Sequence, residues 1–310
     1  MPVHLKWTGI FSVFSGHGWI DGLHAAMIHA QRGMMASKKH TKPMILPTQT
    51  AHSWNDDPRG YFTLTTKPLH ILVFLLPVIL YYEIGLLGWI GIQGSSSSIE
   101  AHQLLSRFFQ IFGVFGLHLP AIALVLTLLL QHLFNRDPLK IKPMFLLAMI
   151  AESAFLTGPL IVLTMVLSPT TGTQASLAAL QAGGADAAVF SADFQHRLMI
   201  AIGAGLYEEM LFRLVLITML HFLITDVLGF RDRAGKMLAV FGAALAFTLI
   251  HDQIRLATGG VNLRLALFIL ISGVYLGTLF LVRGFGIAVG VHLMWDLLAV
   301  VILPGFSGDR

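Results

Sequence analysis

The chain has 310 residues and no cysteine, which excludes thiol catalysis, disulfides, thiolate metal sites, prenylation and palmitoylation of the chain itself. Only 12% of its residues are charged and 55% are hydrophobic, with a mean hydropathy of +0.76, where an ordinary soluble domain carries about 25% charged residues. The net charge of +4 comes from Lys and Arg scattered through short polar connections between apolar runs, so it reads as membrane topology and no nucleic-acid partner is expected.

Residues 1–66 are the least membrane-like part and hold His4, His17, His24, His29, His40 and His52. They are expected to form a polar, disordered extension, with Met35 and Met44 as alternative starts and a metal-binding tail as the competing reading. A helix needs about 20 mostly apolar residues to span a bilayer. Such runs occur at 69–92, 104–134, 144–167, 198–224, 237–251, 265–282 and 287–303. The first half of the second run contains Arg107, Gln110, His118 and Pro120, which suggests an interfacial helix before a span starting near Pro120. The fold class predicted is all-α, a polytopic helical membrane bundle of seven or eight transmembrane helices in contact with the lipid bilayer.

Placing the N-terminus in the cytoplasm puts Lys38, Lys39, Lys42, Arg59 and Lys67 inside, followed by Arg136, Lys140 and Lys142, then Arg231, Arg233 and Lys236. That is the positive-inside arrangement, and Arg255 and Arg264 run against it. The cell (inner) membrane is the expected location. Residues 168–195, rich in Ser, Thr, Gly and Ala, read as an extramembrane loop. The chain divides into the extension 1–66, N-terminal helices and loop 67–197, a core 198–303 and a short tail 304–310. No internal repeat is visible, which counts against transporter folds built from duplicated halves.

The core carries nearly all the notable polar residues. An ionisable group near the bilayer centre costs about 2.5–3.5 kcal/mol on insertion scales, so its default reading is functional. Glu208, Glu209 and Arg213 lie in one span, His251 and Asp252 close the next, and His292 and Asp296 lie in the last. Glu209 and Arg213 are four apart, on one helical face and within ion-pairing reach, while Glu208 points about 100° away. This suggests that Arg213 neutralises Glu209 and that Glu208 meets a water molecule as a general base. Phe247 and His251 share a face, so the ring can wall a pocket with the imidazole at its edge. His292 and Asp296 are again four apart, a spacing at which a carboxylate can fix an imidazole tautomer.

The competing structural reading is that these groups are glue between helices, with carboxylates paired to Arg and histidines bonded to carbonyls. Ionisable residues spread over three of the four spans of this core favour function. Glu83 and Glu152 stand alone outside any motif and read as structural. Gly273/Gly277 and Gly286/Gly290 have small-xxx-small spacing and read as packing faces. There is no phosphate-binding Gly-Lys loop, no His-Glu-x-x-His helix and no Gly-x-Ser-x-Gly elbow.

In order, Glu208-Glu209-x-x-x-Arg213, Phe247-x-x-x-His251 and His292-x-x-x-Asp296 resemble the motifs of type II CAAX prenyl endopeptidases and their prokaryotic relatives, grouped with bacteriocin-processing proteins as the CPBP family. The resemblance covers about residues 198–300. It implies an all-helical membrane domain whose motifs face a shared cavity, and a glutamate-dependent hydrolysis of peptide bonds near the membrane surface. By the same resemblance, Glu208 and His251 hold and activate water, Glu209 and Arg213 order the site, and His292 with residue 296 stabilises the oxyanion. Eukaryotic-type members carry Asn where this chain has Asp296. An ionised Asp cannot donate a hydrogen bond, so Asp296 is either protonated or orients His292.

The reading is therefore a membrane-embedded endopeptidase acting on a membrane-associated protein or peptide without a cofactor. Zinc stays open as an alternative because two Glu and two His are present, although no pair has the usual close spacing. The other classes are a non-catalytic membrane scaffold or immunity-type protein of the same fold, and a proton-coupled transporter using Glu208, Glu209 and His251 as a relay.

Overall fold

A computed structural model describes residues 60–93, 118–137, 139–167, 192–251, 254–256 and 260–302. The expectations for 1–59, for the interfacial stretch 104–117, for the loop over 168–191, for Asp252 and for 303–310 lie outside the described residues.

Helix α1 is Tyr61–Leu64, and α2 is Pro68–Gln93. Proline at the first position of α2 costs no hydrogen bond, because that N–H has no intrahelical partner anyway. Helix α3, Leu119–Asn135, carries Pro120 in its first turn and ends at Arg136 in the left-handed region, φ 52°. The apolar run 144–167 forms α4, Pro143–Leu156, and α5, Gly158–Leu167. The break at Thr157 follows from Pro159, which has no N–H to give and crowds the preceding turn. The Thr157 N–H and hydroxyl both donate to Ser153 O, at 3.0 and 2.8 Å.

Helix α6 begins as Ala192–Gly203 and continues as π-helical Ala204–Glu208 and Met210–Ile217, α-helical Thr218–Phe222 and π-helical Leu223–Val227. Helix α7 is Asp232–Ile250, α8 is Leu263–Arg283, and α9 is Phe285–Asp296, prolonged by π-helical Leu297–Ile302. Helix α7 starts before the apolar run 237–251 because Lys236, buried, reaches back one turn to Asp232 at 2.9 Å. A single residue joins α8 to α9: Gly284, at φ 85°, a conformation that a side chain would strain.

Among the described residues, five helices are long and apolar enough to cross a membrane, Pro68–Gly85, Pro143–Leu167, Leu198–Val227, Asp232–Ile250 and Leu263–Arg283, and two shorter apolar helices accompany them, Leu119–Asn135 and Phe285–Ala299. Among the described residues there is no strand beyond an isolated antiparallel bridge between Arg255 and Val261. The protein is an all-α, multi-pass membrane protein. Its outer surface carries Phe155, Leu133, Phe134 and Val166, each more than two-thirds exposed, as suits a protein whose solvent is lipid.

With lipid outside, close packing and polar contacts hold the helices together. A Cβ at Gly273 would come 3.1 Å from the Ala244 backbone, and one at Gly277 would come 3.0 Å from Val240, so these two glycines let α8 lie directly against α7. A Cβ at Gly290 would fall 2.3 Å from the Ser153 hydroxyl, which sets α9 against α4. Both glycine pairs are thus packing faces, as their spacing predicts.

The two isolated glutamates are polar ties between helices. Arg283 donates to both oxygens of Glu152 at 2.6 and 2.8 Å, and Tyr61 donates its hydroxyl to Glu152 at 2.5 Å. Burial, and then the Glu152 contact, raises the pKa of the Tyr61 phenol, which therefore remains a donor. Residues 60–66, assigned to the extension in the sequence reading, are thereby fastened to α4 and α8.

Candidate active site

Tyr207, Glu208, Glu209 and Arg213 are all buried inside the bundle on α6. This part of α6 is π-helical. Such turns are rare, and they appear most often where a side chain must be re-aimed. The sequence carries no signal for it, since its spacing fits an ordinary helix equally well.

Arg213 Nη1 lies 3.0 Å from Glu209 Oε1, with the two side chains 2% and 0% exposed, so the pair expected from the four-residue spacing is present. Neither Nη1 nor Nη2 of Arg213 makes a hydrogen bond among the described residues. The guanidinium thus acts as a charge beside Glu209 and not as a two-pronged fork. Its other neighbour is the Phe247 ring, whose centroid lies 4.4 Å from Cζ, a cation–π contact in a dry setting.

From the other side, α9 brings His292 to the same carboxylate. His292 Nδ1 donates to Glu209 Oε1 at 2.7 Å, so Glu209 serves both Arg213 and His292 through one oxygen. The opposite nitrogen, Nε2, faces Asp296 Oδ2 at 3.4 Å and Glu208 Oε2 at 3.8 Å. The spacing of His292 and Asp296 suggests that Asp296 fixes the imidazole tautomer. In the structure Glu209, from a different helix, holds Nδ1, and Asp296 makes no aligned hydrogen bond to Nε2. A contact between residues 83 apart has no signature in local spacing.

The close approach of α6 and α9 rests on Gly205. A Cβ there would come within 3.0 Å of the Leu293 N and Cα atoms, so only glycine lets the two backbones meet one residue from His292.

The third element is the end of α7. His251 Nδ1 donates to the Phe247 carbonyl at 2.6 Å, which makes Nε2 the ring's acceptor. The His251 ring packs edge-on against Phe247 with centroids 4.5 Å apart. Phe247 also stands 6.2 Å from the His292 ring and 5.1 Å from Phe212. It is therefore the aromatic wall common to Arg213, His251 and His292. Glu208, Glu209, His251 and His292 all lie within electrostatic reach of Asp296. The seven residues singled out in the sequence thus converge on one place, drawn from α6, α7 and α9.

Among the described residues no group of three or more His, Asp or Glu side chains is arranged to hold a metal ion. Glu209 and the Nδ1 of His292 are taken up by each other.

Fold and site together define a multi-pass membrane protein with a buried carboxylate–imidazole centre built from three helices. In comparisons with known proteins, the model of the Rce1-like family, type II CAAX prenyl endopeptidases, matches residues 191–298. The match takes in α6 to α9 and all seven site residues, in agreement with the resemblance carried by the three motifs, and leaves α1 to α5 outside it. No curated protein and no solved structure matches the chain.

Proposed function

We propose that the protein is an intramembrane endopeptidase that hydrolyses a peptide bond in a membrane-associated protein or peptide, using water activated by Glu208. The observation that carries this reading is the placement of His292, anchored at Nδ1 by Glu209 and presenting Nε2 to Glu208 and Asp296. In this scheme Glu208 takes a proton from water as the oxygen attacks the peptide carbonyl carbon. The oxyanion so formed is stabilised by hydrogen-bond donors on the His292 and Asp296 side. Collapse of the tetrahedral intermediate breaks the C–N bond, and Glu208 returns its proton to the leaving amine nitrogen. His251, with Nε2 as acceptor, helps to hold the water, and Phe247 keeps the neighbourhood apolar.

The Arg213–Glu209 pair supports this chemistry without entering it. It sets a compensating charge beside the buried Glu209 carboxylate, and that carboxylate holds His292. The scheme needs no metal, and the cell (inner) membrane is the location proposed for it. The test is cleavage of a membrane-anchored peptide by protein reconstituted in lipid vesicles. Cleavage by the wild type, loss of it in Glu208→Gln, and survival in excess chelator are expected. Intact substrate after wild-type incubation would favour a non-catalytic scaffold, and loss on chelation would favour a metal enzyme.

A further inference from the structure

Behind the site lies a second polar cluster that no motif contains. Tyr207, the residue before Glu208, is fully buried and donates its hydroxyl to Glu83 Oε1 of α2 at 2.7 Å. The other oxygen of Glu83 is bonded to Nδ1 of His118, at the start of α3. The Tyr82 ring packs edge-on against Tyr207 with centroids 5.1 Å apart. Glu83 and His118 are 17% and 28% exposed, so the cluster runs from the bundle interior towards its surface. It ties α2 and α3, both outside residues 191–298, to the backbone that carries Glu208.

The tie falls where α6 most needs one. Ala204–Glu208 is π-helical, so its hydrogen bonds run over five residues and Glu208 does not point where the usual helical register would aim it. Two anchors remain. Gly205 rests on the Leu293 backbone on one side, and Tyr207 reaches Glu83 on the other. Losing the Tyr207 contact would remove one of the two and leave Glu83 Oε1 without that donor.

We infer that Tyr207 and Glu83 form a positioning pair that sets the direction of Glu208 towards His292 Nε2. The pair acts through the backbone of Ala204–Glu208, and His118 fixes the carboxylate that does the holding. Its kinetic consequence rests on the peptidase reading, whereas its structural consequence does not.

The experiment therefore has two readouts, both on full-length protein in lipid nanodiscs. Amide hydrogen exchange over 204–209 is compared in wild type, Tyr207→Phe, Glu83→Leu and Glu83→Gln. Tyr207→Phe and Glu83→Leu are each expected to speed exchange there by about tenfold, the worth of one net hydrogen bond, while 232–250 stays unchanged. Glu83→Gln keeps a carbonyl acceptor for Tyr207 and should stay near wild type. On the cleavage assay, Tyr207→Phe should lower kcat by about tenfold at unchanged KM, with Glu83→Gln again near wild type. Unchanged exchange at 204–209 in both Tyr207→Phe and Glu83→Leu would overturn the inference, as would faster exchange accompanied by an unchanged kcat. Faster local exchange in Tyr207→Phe and Glu83→Leu, with a wild type that itself cleaves nothing, would support the pair while refuting the peptidase reading.

Discussion

Glu209 holds His292 through Nδ1 at 2.7 Å, although the two residues sit on different helices and are 83 positions apart in the chain. The same Glu209 oxygen is 3.0 Å from Arg213 Nη1, so one carboxylate oxygen carries both the charge balance and the orientation of the site. A change at Arg213 should therefore be felt at His292 as well as in stability.

Arg213→Ala is expected to lower both the yield of folded protein and the thermal midpoint. Removing one partner of a buried ion pair costs about 3–5 kcal/mol, because the other charge is left uncompensated. Arg213 is 1% exposed and Glu209 is fully buried, which places the pair in that regime. The double variant Arg213→Leu with Glu209→Gln should recover stability without recovering cleavage. Size-exclusion yield and a melting curve in detergent check this, and a wild-type midpoint for Arg213→Ala would show that Glu209 is compensated by another group.

Gly205→Ala should lower activity by roughly tenfold to a hundredfold while leaving expression nearly intact. The added methyl would meet Leu293 backbone atoms at 3.0 Å, and backbone cannot swing aside as a flexible side chain can. Displacements near 1 Å at a catalytic centre cost about a hundredfold. Gly158→Ala is the control, because a Cβ there has nothing within 4 Å and should be silent. Equal rates for the two variants would mean that α6 and α9 are free to separate without harm.

Much of this site is legible in sequence because helical periodicity acts locally. The four-residue spacings of Glu209 with Arg213, and of Phe247 with His251, translate directly into contacts at 3.0 Å and at a 4.5 Å ring separation. The spacing of His292 and Asp296 brings them to 3.4 Å, yet the tautomer is held from another helix, and no period within α9 encodes that. Glu83 and Glu152 look isolated for the same reason, since their partners Tyr207 and Arg283 lie 124 and 131 positions away. The π-helical turns of α6 are equally silent, because they change the hydrogen-bond partner without changing which residues are apolar.

From the basic residues of the connections, a cytoplasmic N-terminus and an external C-terminus are predicted. Arg136 with Lys140 and Lys142, and Arg231 with Arg233, sit at the connections between α3 and α4 and between α6 and α7. A protease site or thiol label introduced at 168–191 should be accessible only from outside intact cells, and one at Gly229 only after permeabilisation. The reverse pattern would invert the bundle and place His251, at the end of α7, on the cytoplasmic side.

Asp296 offers the sharpest test of the chemistry, because its two possible roles make opposite demands on Asp296→Asn. Were Asp296 the anion that orients His292, the amide would remove the charge and invite the wrong tautomer, a loss of several orders of magnitude in other His–carboxylate systems. Glu209 already occupies the orienting position at Nδ1, however, and Asp296 stands at Nε2, on the same side as Glu208. That geometry favours the donor role, in which a protonated carboxyl faces the developing oxyanion. An amide N–H can take over at a similar place. Asp296→Asn should therefore keep activity within about tenfold of wild type, the worth of one hydrogen bond, and extend it to higher pH, since an amide has no proton to lose where a carboxyl does. Glu209→Gln, which weakens the hold on Nδ1, should be the more damaging change of the two. A folded Asp296→Asn protein that binds peptide and cleaves at no pH, with Glu208→Gln as the inactive reference, would return the orienting role to Asp296.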